Sequence, residues 1–487
     1  MRVHCCWMIV GALLVLQTNA ARAQDSFARW FFNRTLRIDL FHTGGKKNEQ
    51  YTVDRLWVRE GWNGPSTGLA DPPPLGLYQA RVEDLESQQL IYARGFSTLF
   101  NEWQTTAEAG RGAHRTFGET LRLPLPRRSF RLSILRRDAN NRFTRVVFQQ
   151  VFHPDSLVIH PEPALPQAEM TILQKTGNPQ ERVDVVFVAE GYTANQRSKF
   201  LTDARRMMKA LFSVDPFLKV QNRFNCYAVF VASPDSGVDE PGKKQYRTTP
   251  LNASFGTFGL PRYLMTDDNR SLQNIAEKAP FDAIVILVNT NRYGGGGIYN
   301  LYACTTVDNP WSTYVMVHEF GHSFAGLGDE YFSSTVAYQD FYPEGTEPWE
   351  PNLTALADPA QLKWKHLVEP GTPIPTPWDK ATYEAKTGEF RRQVSRLRAK
   401  GASEEQIRQA ELTYQHWLKQ FFASQPYAGK VGAFEGGGYV SSGIYRPALN
   451  CIMFSKGLQD FDPVCQEAIT RVIDYYTGRG YPKSKAN

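Results

Sequence analysis

The sequence predicts a multidomain protein: an N-terminal all-β sandwich followed by an α/β domain that carries a helical-hairpin insertion. Three patterns predict it. Before residue 160, apolar and polar residues alternate at period two in short segments; beyond it, nearly continuous apolar runs alternate with segments of helical period; and residues 378–425 are charged and helix-favouring, with one break. A chain of 487 residues that is 42% hydrophobic and 21% charged is an ordinary folded protein of two or three domains, which excludes collagen-like, disordered and coiled-coil classes. Its formal charge of +6 is spread without a long basic run, so no nucleic-acid partner is expected.

Residues 1–23 read as a secretory signal peptide. Arg2 precedes an apolar run over residues 7–16 that is too short to span a bilayer, and Ala21-Arg22-Ala23 supplies an A-x-A cleavage site. Cys5 and Cys6 lie before that run, which argues against a lipid anchor. The mature chain is expected to be secreted, periplasmic or extracellular, with no transmembrane anchor; its oligomeric state is not legible.

Residues 24–160 carry the sandwich pattern. Leu36, Ile38 and Leu40 alternate with Arg37 and Asp39, and Phe130, Leu132 and Ile134 alternate with Arg131 and Ser133, with turn-rich stretches such as residues 71–74 between such segments. Residues 161–167 read as a linker, because closely spaced prolines hold an extended chain. Residues 168–487 are the α/β domain. Residues 183–189 form an apolar run suited to a strand buried on both faces, and Phe200, Ala204, Met207 and Leu211 then recur at helical spacing. Residues 281–289 supply another strand and lead to Gly294 through Gly297, where another backbone can approach closely. The hairpin follows from two helical segments, residues 383–399 and 404–423, with Ser403 and Gln406 forming a capping box; its charge suggests a solvated face.

The chemistry is concentrated in residues 318–331, HEFGHSFAGLGDEY. His318 and His322 stand four apart, so on a helix both imidazoles converge on one point, as zinc requires. Ser312 can cap that helix and Gly326 can end it. Glu319 can sit beside a zinc-activated water and take its proton during attack on a carbonyl, the HExxH arrangement of zinc metallohydrolases, which makes the α/β domain a zincin. Asp329, on the returning chain after Gly326, is the expected third ligand. Its glycine and acid each fall one place later than in the usual metzincin turn, Glu330 is the near rival, and Glu344 or Glu347 are remote alternatives.

With these residues in view, the chain resembles the IgA-specific metalloendopeptidases and their bacterial relatives over nearly its whole mature length. The resemblance rests on His318-Glu319-Phe320-Gly321-His322 continuing to Asp329-Glu330-Tyr331, on Glu190-Gly191-Tyr192, on residues 293–297, on Phe434-Glu435-Gly436, on Tyr445-Arg446-Pro447 leading to Asn450-Cys451-Ile452-Met453, and on residues 100–106 in the N-terminal domain. It implies a secreted, metzincin-like zinc endopeptidase acting on polypeptide or glycoprotein substrates, and it makes Met453 a candidate for the methionine turn beneath the zinc. The hairpin is longer than the family pattern requires, which unsettles any carried-over specificity. Of the four cysteines after residue 23, Cys451 and Cys465 are the expected disulfide, though three connectivities exist. Tyr331, Tyr439 and Tyr445 are candidate oxyanion donors. The competing reading is an exported glycan- or protein-binding protein with a vestigial or structural zinc site; an intact Glu319 argues against it.

Overall fold

A computed structural model describes residues 27–482 apart from residues 157, 163, 164, 166, 333–340, 344 and 458. The expected signal peptide, part of the expected linker and Glu344 therefore lie outside the described residues. The fold is mixed α/β and multidomain, with a β-rich N-terminal region.

That region is two four-stranded sheets. In one, Arg115–Pro126, Phe31–Gly44 and Glu49–Glu60 run antiparallel, and Ile159–Pro161 adds in parallel at the edge. The other orders Leu90–Phe96, Tyr78–Asp84, Phe130–Arg137 and Phe143–Phe152, all antiparallel. The alternating apolar residues of both sheets, Leu36, Ile38 and Leu40 with Val82, Leu132 and Ile134, share one core.

The polar residues of the first sheet do not face water as simple alternation suggests. Arg37 and Asp39 are buried, because the α/β region covers that face. Arg37 bonds Asp39 at 2.9 Å and reaches Asn274 of the helix Asn269–Ala276 at 2.7 Å, while Arg122 pairs with Glu277 at 2.6 Å. These charges are buried in pairs, as burial demands.

The α/β region is built on a six-stranded sheet ordered Gly295–Ile298, Tyr302–Thr306, Ala283–Val288, Val183–Glu190, Phe224–Phe230 and Glu169–Gln174. The four inner strands are parallel and every residue in them is buried, matching their nearly continuous apolar runs. Helices Arg197–Leu211 and Ser312–Ala325 pack on one face, and Asn269–Ala276 on the other. Among the described residues, no helix is long and apolar enough to cross a membrane.

The two helices of the hairpin, Lys380–Ala399 and Glu404–Ala423, are present, with the Ser403 and Gln406 capping box formed. Their basal turns are not a solvated face. Tyr383, Leu418 and Phe422 join the main core, with the Phe422 ring 5.7 Å from Phe454 and 6.0 Å from Tyr383. Tyr414, Trp417 and Phe421 pack against the same core, and the charge around this stripe masks it in the sequence. Phe422→Ala is expected to destabilise the protein by about 3–5 kcal/mol, since it opens a cavity lined by aromatic rings. A denaturant midpoint unchanged from the parent would show that the hairpin base is not part of the core.

Candidate metal centre and cleft

The helix Ser312–Ala325 carries the histidines. Ser312 does not cap it: Trp311 occupies that position without a side-chain cap bond, and the Ser312 hydroxyl instead receives Arg206 at 3.1 Å. Gly326 does end it, in the left-handed conformation at φ 63°, with its N–H donating to the His322 carbonyl at 3.0 Å. A side chain there would meet the Trp349 ring at 2.8 Å.

The structure brings His318, His322 and Asp329 together. His318 Nε2 and His322 Nε2 are 3.2 Å apart, and Asp329 Oδ1 lies 3.0 Å from the first and 3.2 Å from the second. Both rings are oriented from behind. His318 Nδ1 donates to the Ile452 carbonyl at 3.0 Å and His322 Nδ1 to the Leu327 carbonyl at 2.5 Å. A carbonyl only accepts, so each Nδ1 carries a proton and each Nε2 is the nitrogen turned to the centre, where a metal would bind it. Asp329 is held at its other oxygen by the Tyr439 hydroxyl at 2.5 Å, and its backbone carbonyl accepts from Gly438 N–H at 2.8 Å. Asp329 Oδ1 is buried and accepts no hydrogen bond among the described residues.

The electrostatics favour positive charge at this point. Burial opposes protonation of His322, but the Asp329 carboxylate outweighs it and pushes the imidazole up to about 10. Asp329 answers in kind: burial would raise its carboxyl, yet the two imidazoles hold it well below the usual range. Glu319, on the next helical position, is pushed above its ordinary range by burial and further by Asp329, against the lowering effect of both imidazoles.

Glu330 points elsewhere. Its N–H donates to the Met453 carbonyl at 2.9 Å, and its carboxylate faces Asn352 and Cys465. Glu347 is remote from the centre and pairs with Lys363 at 3.0 Å. Met453 is fully buried beneath the helix, where a Cβ on Gly321 would lie 3.1 Å from its sulfur. Of the three tyrosines, Tyr331 and Tyr439 line the cleft over the histidines. Tyr445 does not line it; its backbone pairs with Thr354. Cys451 and Cys465 stand as two thiols with sulfurs 4.0 Å apart, and Cys226 and Cys304 sit in the cores on opposite faces of the large sheet.

The glycine-rich strand Gly295–Ile298 is the edge of the large sheet and runs along the helix. A Cβ on Gly297 would come within 2.3 Å of the Glu319 carbonyl oxygen, so only glycine permits this approach. Gly297→Ala is expected to cost about 1–3 kcal/mol by forcing strand and helix apart. Differential scanning calorimetry checks it, and an unchanged melting temperature would refute the contact. The outer edge is partly taken: Tyr263 bridges it at Gly295.

The cleft also has a wall that the sequence did not announce. Ser97, Asn101 and Glu102 of the β-rich region line it together with Arg262 and Tyr263. They are anchored there by Ser97 N–H on the Tyr299 carbonyl at 3.0 Å and by the Tyr263 hydroxyl on Glu102. Residues 100–106 were marked by resemblance alone, and no local pattern places them beside the histidines.

A mixed α/β fold with two imidazoles and a carboxylate converging at the floor of a cleft defines a metallohydrolase type of site. Residues 171–473 match the family model described as IgA Peptidase M64, and residues 26–148 match that described as Peptidase M64 N-terminus. The chain belongs to the M64 family of metallopeptidases, and a polypeptide is its class of substrate. No curated protein matches it significantly.

Proposed function

We propose that the chain is a secreted zinc-dependent endopeptidase that hydrolyses peptide bonds in protein or glycoprotein substrates. One observation carries the metal assignment. Three donor atoms, two imidazole nitrogens and one carboxylate oxygen, face one another at 3.0 and 3.2 Å, and a cation bound there takes the place of the proton that Asp329 otherwise holds on His322. Donors bound tetrahedrally to zinc at about 2.0–2.1 Å lie roughly 3.3 Å apart, so His318, His322 and Asp329 fit that ion and leave one position open. Zinc bound there supplies Lewis acidity, polarising the scissile carbonyl and bringing the pKa of water towards ~7.

The chain's own residues do the rest. Glu319 accepts the proton of the attacking water and returns it to the leaving amine; its raised proton affinity suits a base that must also act as an acid. Tyr439 is a positioning residue that holds Asp329. Tyr331, with the Arg262 guanidinium beside it, is our assignment for the oxyanion donor, supported by their place on the cleft wall. Met453 serves as the methionine turn of a metzincin-like site, supported by its sulfur beneath Gly321. Extended substrate lies along the glycine-rich strand beyond the Tyr263 bridge. We retain residues 24–160, 161–167 and 168–487 as β-domain, linker and catalytic domain, with the hairpin as an insertion and residues 1–23 removed on export.

The test is digestion of a broad denatured-protein library by the purified chain, with cut sites mapped by mass spectrometry. Internal cleavage should appear, vanish after chelation and return with added zinc. A metal-replete chain that cleaves nothing would favour the binding-protein reading.

A further inference from the structure

Behind the histidine centre lies a second set of donors. One atom each from Glu330, Cys451, Asp462 and Cys465 lie within 4.8 Å of one another, and all four residues are buried. They come from three segments: the residue after Asp329, the turn carrying Met453, and the start of the helix Pro463–Tyr476. Each carboxylate has one oxygen tied back and one left over. Glu330 Oε1 accepts from Asn352 at 2.9 Å, and Asp462 Oδ1 accepts from the N–H groups of Val464 and Cys465 at 2.8 and 3.1 Å. Glu330 Oε2 and Asp462 Oδ2 have no donor from any other described residue, and the two carboxyl groups face each other closely enough to share a proton, although Glu330 is 0% and Asp462 6% exposed.

Burial and the neighbouring Glu330 and Asp462 push both thiols up, so a thiolate pair here needs a cation beside it. Cys451 Sγ is approached by two backbone N–H groups, Met453 at 3.5 Å and Asp462 at 3.4 Å, and Cys465 sits in the first turn of a helix, where the dipole favours an anion. Leaving two carboxylate oxygens unmatched in a buried pocket is costly unless a cation or shared protons occupy it. Arg446, also buried, acts on Glu330 from nearby but makes its hydrogen bonds to the carbonyls of Glu435 and Gly436.

We propose that Glu330, Cys451, Asp462 and Cys465 form a second, structural zinc site. Zinc–sulfur bonds of about 2.3 Å put two tetrahedral sulfurs roughly 3.8 Å apart, close to the 4.0 Å observed, whereas a disulfide needs about 2.05 Å. Two thiolates select zinc over calcium or magnesium, and four protein donors close the site against water. The ion joins the residue next to Asp329 to the turn under the histidines, and so braces the cleft from behind. The proposal is independent of the reaction assigned above.

The experiment counts metal and thiols in the chain from residue 24 onward, which keeps four of the six cysteines, purified without oxidant or chelator. Two zinc per chain are expected in the parent and one in a His318→Ala/His322→Ala variant. Cobalt loaded into that variant should give the near-ultraviolet charge-transfer band of a thiolate ligand. Cys451→Ser/Cys465→Ser should lose the band and one equivalent of zinc; if that variant fails to fold, the parent and histidine variants still decide. No zinc in the histidine variant, or no thiolate band with cobalt, overturns the site, whereas a single zinc in the parent that survives in the histidine variant overturns only the histidine centre. Finding two rather than four reactive thiols in the unfolded, unreduced parent also overturns the site, since it would mean that Cys451 and Cys465 are a disulfide.

Discussion

Glu319→Gln is expected to lower peptide hydrolysis by a factor on the order of 10² to 10⁴ while leaving zinc content and melting temperature near the parent's. The amide keeps the size of the carboxylate but cannot take a proton from water. Glu319 is not among the three atoms at 3.0 to 3.2 Å, so the donor set survives the change. Turnover on a mapped cut site, measured beside metal analysis, separates loss of the base from loss of the ion. A zinc-replete glutamine variant that keeps most of its activity would falsify the assignment of Glu319 as base.

Asp329→Ala is expected to weaken zinc at the histidines by more than the roughly 10- to 100-fold that loss of an outer partner costs, and to abolish activity with it. It removes one of three protein donors and the anion that gives the pocket its attraction for positive charge. Tyr439→Phe, which removes the hydroxyl bond to Asp329 Oδ2, should fall within that 10- to 100-fold range. Competition with a chromophoric chelator measures both. If Glu330→Ala emptied the histidine centre and Asp329→Ala did not, the third ligand would be Glu330.

The parts of this site that could be read in advance are those whose geometry is local. Two histidines four apart on a helix must share a face, and Gly326 was legible as its end because the chain turns there through a left-handed residue. Neighbouring residues on a loop point in different directions, so the local sequence does not separate Asp329 from Glu330. The partners that turn them apart, Tyr439 for one and Asn352 and Cys465 for the other, lie far along the chain. The cleft wall from Ser97 to Glu102 has no local signal beyond the resemblance of residues 100–106, since it exists only once the β-rich region docks. Period two located the strands around Leu36 and Phe130 but misled about Arg37 and Asp39, whose face is covered by another part of the protein rather than by water.

The bonds that orient the first donor set also impose an order of assembly. The two histidines are neighbours as soon as their helix forms. The carbonyl that orients His318, however, is 134 residues away at Ile452, and the hydroxyl that steadies Asp329 is 110 residues away at Tyr439. Contacts so distant in the chain are closed late in folding, because their loop entropy must be met first. Under the proposed function, a chain shortened before residue 439 would carry the motif without the partners that orient it, so activity would depend on residues 439–452 as much as on the motif itself.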